Sequence, residues 1–441
     1  MSSAALPPAA RPIQRTYLVL LLGNTLAASF IWGINTLFLL DAGLSNFEAF
    51  AANAFYTVGM VIFEIPTGVV ADSVGRRASY LLGTLTLMSS TALYWLLWLW
   101  SAPFWAWAVV SMLLGLGFTF FSGAVEAWLV DALRASGYTG QLEPVFSRGL
   151  IVSGAAMLFG SVAGGVVAEA TDLGVPFLVR AAVLLATFLL AFRVMHDIGF
   201  TPDRSERPVA AIRTLFRASV QNGLGNRPVR YIMLAAPFSA GISFYVFYAL
   251  QPYLLELWGD EKAYSIAGLA AAIVAGAQIV GGLLAPFVRR LFRKRTTTIL
   301  LASATGSVLL LLLGLTRNFW LALLLLTVWG ITYSLSGPVR SAYLNDLIPS
   351  KQRATVLSFD SLIGNAGGVV VQPPLGRAAD VAGYPFSLLL SGAISAVALP
   401  FLLLSRRQNA SADVAVADTP ATQDDLSSPP PQSSGAPRID E

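Results

Sequence analysis

Cysteine is absent from this chain of 441 residues, and histidine occurs once, at His196. The lack of cysteine excludes disulfides and thiolate chemistry, and together with the single histidine it excludes zinc and haem sites of the usual kinds. It also argues against membrane hydrolases and acyltransferases that need histidine as a base. No GxxxxGK[ST] sequence is present, so nothing indicates that ATP drives the protein. We therefore expect neither a cofactor nor an enzymatic reaction.

Charge is also scarce, since only 12% of the residues are charged, about half the fraction typical of a soluble protein. Hydrophobic residues make up 56% of the chain, and the mean hydropathy is +0.68. Apolar runs recur that are long enough to cross a hydrocarbon core of about 30 Å. This composition predicts an all-helical membrane protein with several spans. The formal net charge of +4 does not indicate nucleic-acid binding, because the basic residues lie along loops on one side.

Twelve membrane spans are predicted, six in each half of the chain. They cover residues 16–40, 47–70, 79–100, 103–133, 144–168, 174–196, 228–255, 264–288, 297–316, 319–347, 353–376 and 383–405. The predicted domains are a disordered tail (1–15), a bundle (16–196), a cytoplasmic linker (197–227), a second bundle (228–405) and a disordered tail (406–441). Within the linker, Ala210 to Val220 can form an amphipathic helix on the membrane surface, or the linker is an ordinary ordered one.

The two halves are related by an internal repeat. GVVADSVGRR at 68–77 recurs as GLLAPFVRRL at 282–291, and Ser122-Gly123 aligns at the same offset with Ser336-Gly337. Because both copies run in the same direction, a duplicated six-helix bundle is expected. Basic residues concentrate at the termini, the linker and the even-numbered loops, which predicts that both termini are cytoplasmic. The exceptions are Arg180, Lys262, Arg317, Arg340 and Arg377.

The GxxxDxxGRR sequence at 68–77 resembles the signature of the major facilitator superfamily, whose twelve-span plan covers residues from about 16 to about 405. The resemblance implies two six-helix bundles that rock around a central cavity in the cytoplasmic or plasma membrane. The implied partners are a small-molecule substrate, protons and the lipid bilayer, with no nucleic acid and a monomeric protein. In physical terms, Gly68 lets two helices approach closely, and Gly75 permits a tight turn.

The same resemblance assigns conformational roles to charged residues of this loop. Asp72 is expected near the N-terminus of helix 11, where it would stabilise the positive end of the helix dipole. Arg76 or Arg77 is expected to pair with Asp131 at the cytoplasmic end of helix 4. The family usually has a basic residue directly after the aspartate, and here it is Ser73, so we expect a weaker contact between the halves.

Ionisable residues inside predicted spans cost roughly 2.5–3.5 kcal/mol each and need a reason. Those that stand out are Glu64, Glu126, Arg340 and Asp360. Glu126 and Arg340 occupy equivalent positions of the repeat, near the inner gate. Either Glu126 exchanges protons while Arg340 tunes its pKa or takes an anionic group, or the two form an ion pair that closes this gate. Asp360 is expected to pair with a base from another helix.

Glu64 is the second candidate for a proton carrier. It lies just before Pro66, which frees a backbone carbonyl and can bend the helix. The alternative is a carboxyl group that is hydrogen-bonded to neighbouring helices near the bundle interface. Arg148 and Arg180 lie near helix ends and are interpreted as topological anchors or members of local ion pairs.

Aromatic and amide side chains are the candidates for substrate contacts, together with Arg340. They are Trp32, Asn35, Tyr245, Tyr248, Gln251 and Tyr333. Aromatic walls with few polar groups suit amphipathic or cationic molecules, although lipid-facing aromatics look the same in sequence. GSVAGG at 160–165 resembles the core of an antiporter signature of the superfamily, and Gly276, Gly281 and Gly282 are expected to pack against it.

These features predict a secondary transporter, and specifically a proton-coupled exporter of hydrophobic or amphipathic molecules. Glu126 is the first candidate for the coupling carboxylate and Glu64 the second. One alternative is an importer or facilitator of an organic anion or small nutrient, with Arg340 as the anion anchor. Another alternative is a non-transporting sensor or scaffold built on the same fold.

Overall fold

The computed structural model describes residues 7–121, 123–201, 223–348 and 353–414. Within these ranges the regular structure is helical, apart from one isolated bridge between Lys294 and Val414. The helices are α1 (Ala10–Trp32 and Asn35–Asp41), α2 (Asn46–Ser73), α3 (Arg76–Leu99), α4 (Phe104–Phe121 and Ala124–Ala135), α5 (Glu143–Ala170), α6 (Val175–Val194), α7 (Arg227–Trp258), α8 (Tyr264–Arg290), α9 (Arg295–Leu315), α10 (Phe319–Leu347), α11 (353–382) and α12 (384–396 with Ala398–Arg407).

The boundary between α11 and α12 decides the number of spans. In the described chain, 10 helices are long and apolar enough to cross a membrane, or 11 if the two segments of α1, bent by 49°, form one span. The last of them, Val356–Arg407, has 52 residues and would be about 78 Å long, far beyond a single crossing. Gly383 interrupts it with φ 80° and ψ 168°, so it divides into two helices. The structure thus agrees with the twelve predicted spans.

The same helix neighbours recur in each half, which confirms the internal repeat. In the first half α1 packs against α5 and α6, α2 against α4, and α3 against α4 and α6. In the second half α8 packs against α10 as α2 does against α4, and α9 packs against α10 as α3 does against α4. Between the halves α5 runs along α8, and α2 runs along α11. Two equivalent bundles therefore meet through two equivalent helix pairs.

The first helix begins earlier than predicted. Residues 10–15, which were expected to belong to a disordered tail, form the first turns of α1. Ala10 and Gln14 are buried there, and Arg148 of α5 donates a hydrogen bond to the Gln14 side-chain oxygen at 2.8 Å. This polar contact fixes the start of α1 on α5. Arg148 thereby makes a local contact, although with an amide and not with an acid.

The C-terminal tail is also ordered further than predicted, through residue 414. Helix α12 ends at Arg407, and Ser411–Asp413 form a short 3₁₀ turn. The Asp413 carboxylate accepts hydrogen bonds from the backbone N–H and the hydroxyl of Thr296, at 2.8 and 2.7 Å. These are groups at the start of α9, where backbone N–H donors have no partner within the helix. A helix cap therefore holds this part of the tail against the bundle.

The predicted linker is described only at its two ends, and its amphipathic segment, Ala210 to Val220, lies outside the described residues. Asp197 accepts a hydrogen bond from the backbone N–H of Arg77 at 2.8 Å, at the start of α3. Gly199, with φ 73°, lies against the end of α4. The first residues of this segment therefore pack on the N-terminal bundle, and α7 begins at Arg227.

The two ends of the molecule carry opposite charges. We call the end with Arg76, Arg77, Arg290 and Arg295 the basic end, which the sequence predicts to be cytoplasmic. The opposite end is the acidic end, and it carries Asp41, Glu48, Glu169, Asp260 and Asp380.

Buried apolar residues are shared between the halves only toward the acidic end, among the described residues. One cluster there joins Phe38 and Tyr94 of the first half to Leu255 and Ala267 of the second. Another joins Phe50 to a group of second-half residues. Toward the basic end, each half has a separate cluster made from its own residues. The hydrophobic core therefore joins the two bundles at one end and leaves them separate at the other.

Candidate functional site

Gln251 of α7 connects the two halves at the bend of α1. Its side-chain oxygen accepts a hydrogen bond from the Thr36 backbone N–H at 2.9 Å, and its amide nitrogen donates to the Trp32 carbonyl at 2.7 Å. The bend between the two segments of α1 leaves these backbone groups without helical partners. Gln251 is fully buried (0% exposed), so the amide predicted to bind substrate instead holds the acidic end together.

A second set of polar contacts at the acidic end is reciprocal between the halves. Asp380 of α11 accepts hydrogen bonds from the backbone N–H groups of Asn46 and Phe47, both at 2.9 Å, at the start of α2. Glu169 of α5 accepts one from the Ser265 backbone N–H at 2.8 Å, at the start of α8. A carboxylate at a helix N-terminus satisfies free N–H groups and complements the helix dipole. Each half thus caps a helix of the other.

These carboxylate caps were missed by the sequence analysis. In the sequence, only their positions could have indicated this role. Asp380 and Glu169 lie near the ends of α11 and α5, which are equivalent helices of the repeat and end on the acidic side. Which helix start each would meet depends on the packing of α2 on α11 and of α5 on α8. That packing joins residues more than 300 positions apart in the case of Asp380 and Asn46.

Small residues bring α5 and α8 close, but not through all the predicted glycines. A Cβ on Gly268 of α8 would lie 2.5 Å from the Ser161 carbonyl oxygen and 3.1 Å from the Gly165 Cα on α5. Gly165 therefore has Gly268 as its partner. Of the expected partners, Gly281 and Gly282 face α10, and Gly276 faces the Leu158 side chain of α5 at 3.7 Å.

The signature loop at the basic end makes its contacts within its own half. Arg76 lies 2.6 Å from Asp72 and 3.9 Å from Asp131, so the expected pair with Asp131 forms. Gly75 adopts φ 136° at the turn into α3, as predicted. Arg77 donates to the Phe192 carbonyl at 2.7 Å. These partners fix the loop on the N-terminal bundle.

One expectation for this loop is contradicted, and another stays a prediction. Asp72 pairs with Arg76, and its place near the start of α11 stays a prediction because residues 349–352 lie outside the described chain. A Cβ added to Gly68 would meet nothing within 4 Å, so none of the described helices approaches closely there. The physical reason is the separation of the halves, since no described hydrogen bond or ion pair joins them at the basic end. With the predicted orientation, the described contacts that join the halves therefore lie on the outer side of the membrane.

A cavity of about 430 Å³ lies within the C-terminal bundle, between α7, α9, α10, α11 and α12. Arg340 of α10 donates two hydrogen bonds to the two oxygens of Asp360 on α11, both at 2.6 Å. Asp360 is buried (6% exposed), and both residues line the cavity. Asp360 has therefore found the basic partner that the sequence did not identify, through the planar two-pronged geometry that guanidinium groups favour.

The alternative pairing of Arg340 with Glu126 is wrong for this conformation, because Asp360 occupies both prongs of the guanidinium. Glu126 is exposed and lies in the first turn of the second segment of α4, directly after Gly123 at φ 74°. Its negative charge is favourable at that helix N-terminus. Within the described residues no ion pair to Glu126 forms. Glu64 is likewise exposed on α2.

Some of the predicted aromatic and amide residues pack inside a bundle, and one lines the cavity. Tyr245 is fully buried, and its hydroxyl donates to Ser387 at 2.6 Å, so it packs inside the C-terminal bundle and does not line the 430 Å³ cavity. Asn35 donates to Asn53 at 3.0 Å within the first half. Tyr333 does line the cavity, where it stacks on Trp329 with ring centroids 5.6 Å apart.

Trp32 and Tyr248 both approach the ring of Phe247. Its centroid lies 6.1 Å from that of Trp32 and 5.4 Å from that of Tyr248, in edge-to-face geometry in both cases. Both Trp32 and Tyr248 are half-buried. The three rings form an aromatic contact between α1 and α7.

The structure contradicts the interpretation of Arg180, on α6, as a topological anchor or a member of a local ion pair. It is only 9% exposed, and no described residue forms an ion pair or a hydrogen bond with it. The groups that act on it electrostatically are Tyr56, Tyr94 and Tyr248. Sequence reasoning missed this because Arg180 lies only five residues into its helix, and its burial depends on elements that fold over it.

Comparisons with known proteins agree with this architecture. The family model of the Major Facilitator Superfamily matches residues 17–370 and 238–429. An uncharacterized MFS-type transporter of Methanocaldococcus jannaschii is 20% identical over 371 residues, which cover 83% of this chain and 92% of that protein.

Solved structures with the same fold include several transporters. The nucleoside transporter NupG aligns with a TM-score of 0.71 at 12% identity over 89% of this chain and 99% of its own. A D-xylose–proton symporter aligns at 0.65 and 16% identity, over 89% and 96%. A bacterial homolog to the human lysosomal transporter Spinster, inward-facing and unoccupied, aligns at 0.70 and 13%, over 93% and 99%.

At these identities the solved structures show the fold, and the family model shows the membership. The repeat, the two helix pairs between the halves and the apolar helices are those of a membrane transporter and not of an enzyme. The chain is therefore a multi-pass transporter of the plasma membrane, and it belongs to the Major Facilitator Superfamily.

Proposed function

We propose that this transporter is a monomeric, proton-coupled exporter of small amphipathic molecules that works by alternating access between its two halves. The observation that supports coupling best is the ion pair of Arg340 and Asp360 in the wall of the C-terminal cavity. A buried carboxylate with one fixed counter-ion is a group whose protonation changes the charge balance of its surroundings. Asp360 therefore replaces Glu126 as the first candidate for coupling, and Glu126 and Glu64 remain exposed alternatives.

The geometry of the pair suggests the direction of proton movement. The two short hydrogen bonds from Arg340 to the two oxygens of Asp360 have the geometry of a charge-assisted pair, which favours an ionised carboxylate in this arrangement. Since the basic end is predicted to face the cytoplasm, the proton would leave Asp360 in the state that is open to the cytoplasm. Proton flow into the cell is the driving force that an exporter of the antiport type needs.

Protonation would also change the conformational equilibrium. A neutral Asp360 no longer balances the charge of the Arg340 guanidinium, whose side chain is only 26% exposed, so this arrangement loses part of its stabilisation. A conformation in which Arg340 gains another partner or water then becomes more favourable. In this way one proton can shift the population between the two access states.

The lining of the cavity supports an amphipathic substrate. Its volume of about 430 Å³ lies in the range of small-molecule sites. Phe244, Trp329 and Tyr333 supply aromatic surface, while Ser239 and Asn365 supply polar groups. Export is further supported by the resemblance of GSVAGG to an antiporter signature, whose Gly165 packs on α8.

Everted membrane vesicles energised with an imposed pH gradient would test this function. Wild-type vesicles are expected to accumulate at least one of two amphipathic dyes, ethidium or carboxyfluorescein, and to lose it when an ionophore collapses the gradient. Asp360→Asn should abolish the gradient-driven accumulation but retain downhill equilibration. Asp346→Asn is the matched control, since Asp346 is an exposed carboxylate of α10 paired with Arg295. Accumulation that survives either the ionophore or Asp360→Asn would contradict the coupling proposal.

A further inference from the structure

Arg180 is a buried positive charge without a compensating partner. The residue is 9% exposed, its Nε atom is buried without a hydrogen bond, and none of the described carboxylates forms an ion pair with it. None of the described aromatic rings lies over its guanidinium in cation–π geometry either. Arg340, by contrast, is neutralised by Asp360. The contrast marks Arg180 as the arginine that is available to a ligand.

The surroundings of Arg180 belong to both halves of the transporter. Tyr56 of α2 and Tyr94 of α3 come from the first half, and Tyr248 of α7 comes from the second. The Tyr94 hydroxyl is already hydrogen-bonded to Ser111. Within the described chain the hydroxyls of Tyr56 and Tyr248 have no hydrogen-bond partner, and both tyrosines are only half-buried. Each half therefore supplies one tyrosine hydroxyl without a described hydrogen bond to the surroundings of Arg180.

The position of Arg180 separates it from the acidic end. Phe177, one helical turn before it on α6, stacks on Phe38 with ring centroids 3.8 Å apart. Phe38 in turn contacts Trp107 and Tyr94, at 5.9 and 6.4 Å. This aromatic layer lies at the closed end of the molecule, above the guanidinium. The described apolar clusters that join the halves also lie toward the acidic end, and none is shared toward the basic end.

We propose that Arg180 binds the anionic group of the transported molecule, and that this molecule is an aromatic or otherwise apolar organic carboxylate. A buried unpaired charge costs several kcal/mol, so an arginine at such a site calls for an anion from outside the chain. The planar guanidinium matches a carboxylate with two parallel hydrogen bonds, and the hydroxyls of Tyr56 and Tyr248 can donate to the same oxygens. The surrounding aromatic rings suit an apolar body.

The site also explains how substrate could act on both halves. An anion held by Arg180 of α6 and Tyr248 of α7 would bridge the N-terminal and C-terminal bundles. Its role as substrate rests on the proposed transport function, but its binding does not. Binding to the purified protein needs no gradient and no functional Asp360, so failure of one proposal can be told from failure of the other.

Thermal unfolding of the full-length protein in detergent tests the binding site. Benzoate and 1-naphthoate are the probes, and the amides benzamide and 1-naphthamide are the uncharged controls of the same shape. We expect at least one carboxylate to raise the unfolding temperature with concentration, and its amide to have no effect. Arg180→Gln should weaken binding of the carboxylate by about 10- to 100-fold, in line with the loss of a charge-assisted pair. Arg317→Gln, which changes an exposed arginine at the same end, should leave it unchanged.

The unfolding temperature without ligand gives a second test, because a purely structural role of Arg180 predicts a change in the opposite direction. If Arg180 lacks a partner, Arg180→Gln should unfold at the same or a higher temperature than the wild type, because an uncompensated charge is removed. A marked fall would show that Arg180 supports the fold through a partner and would overturn the proposal. So would carboxylates that have no effect, amides that act equally well, or an undiminished response in Arg180→Gln. If Arg180→Gln does not fold, Tyr248→Phe should still weaken binding of the carboxylate several-fold. Unchanged binding in Tyr248→Phe would count against the site.

Discussion

The acidic and basic ends of this transporter use similar residues with opposite results. At the acidic end, Asp380 and Glu169 cap helices that belong to the other half. At the basic end, Asp72 and Asp131 pair with Arg76, and all three residues belong to the N-terminal half. A carboxylate therefore closes an end only when its partner lies across the boundary between the bundles. The comparison shows that the state of the transporter depends on where the partners lie and not on how many charges an end carries.

The contacts that close the acidic end are individually modest. A helix cap is worth about 1 kcal/mol, and a hydrogen bond adds a similar amount. The Gln251, Asp380 and Glu169 contacts could together be offset by a few kcal/mol gained elsewhere. That is the size of change that substrate binding or protonation can supply. A closed end of this kind is suited to reversible opening.

The largest effect on stability is expected from breaking a buried pair within one half. Arg340→Ala leaves Asp360 buried without its counter-ion and should lower the free energy of unfolding by about 3–5 kcal/mol. Denaturation in detergent measures this change. Arg295→Ala, which breaks a pair whose carboxylate, Asp346, is exposed, should cost less than about 1 kcal/mol. Equal losses in both variants would mean that burial of the first pair is unimportant.

The next largest effect is expected from steric opening of the acidic end. A valine at Gly268 would collide with the Ser161 carbonyl of α5 and push the halves apart. Because the chain has no cysteine, Ala267→Cys gives a single reporter in the apolar cluster that joins the halves. Gly268→Val should raise its rate of reaction with an impermeant maleimide by about tenfold or more, equivalent to about 1.4 kcal/mol.

The matched control for this experiment is Gly282→Val on the same helix, where an added Cβ would meet only the Ser334 hydroxyl at 3.7 Å. The control should leave the labelling rate of Ala267→Cys unchanged. A rate that rises equally in both variants would show that α8 tolerates no valine at all, and would remove the support for the Gly165–Gly268 contact as the closing element.

A smaller effect is expected from removing one reciprocal cap. Asp380→Ala deletes both acceptors at the start of α2 and should weaken closure by about 1–2 kcal/mol. The same cysteine reporter should then react several-fold faster. Asp260→Ala is the comparison, since Asp260 is exposed at the same end and bonds only within its own loop, to Lys262. An unchanged labelling rate of the cysteine reporter in Asp380→Ala would show that the cap does not hold the acidic end closed.

The smallest effect is expected for the signature loop in this conformation. Asp72→Asn removes the pair that the exposed Asp72 forms with Arg76 across the turn between α2 and α3, and it should change the free energy of unfolding by no more than about 1 kcal/mol. The acidic-end reporter should react at its wild-type rate. A large loss of stability, or faster labelling, would mean that Asp72 has a partner in the other half and that the two ends are less different than the structure indicates.

The sequence predicted features that depend on short separations or on summed hydrophobicity. The twelve spans follow from apolar runs, the repeat from aligned residues, and the turn at Gly75 from local backbone freedom. The pair of Arg76 with Asp131 came from the family resemblance. What failed were partners across helices, because a side chain on a helix can face several neighbours and hydropathy does not select among them. Gln251 was expected in the cavity and instead bonds to α1.

The fold class and the halves were thus determined by the sequence alone, since burial of apolar helices in lipid leaves few other arrangements. Only the tertiary structure decided which charges are neutralised. Arg340 and Arg180 look alike as single arginines within spans, yet packing gives one a carboxylate from the next helix and leaves the other beneath an aromatic layer without one. The reason is physical: the energy of a buried charge depends on atoms within a few ångströms, and those atoms come from distant parts of the chain.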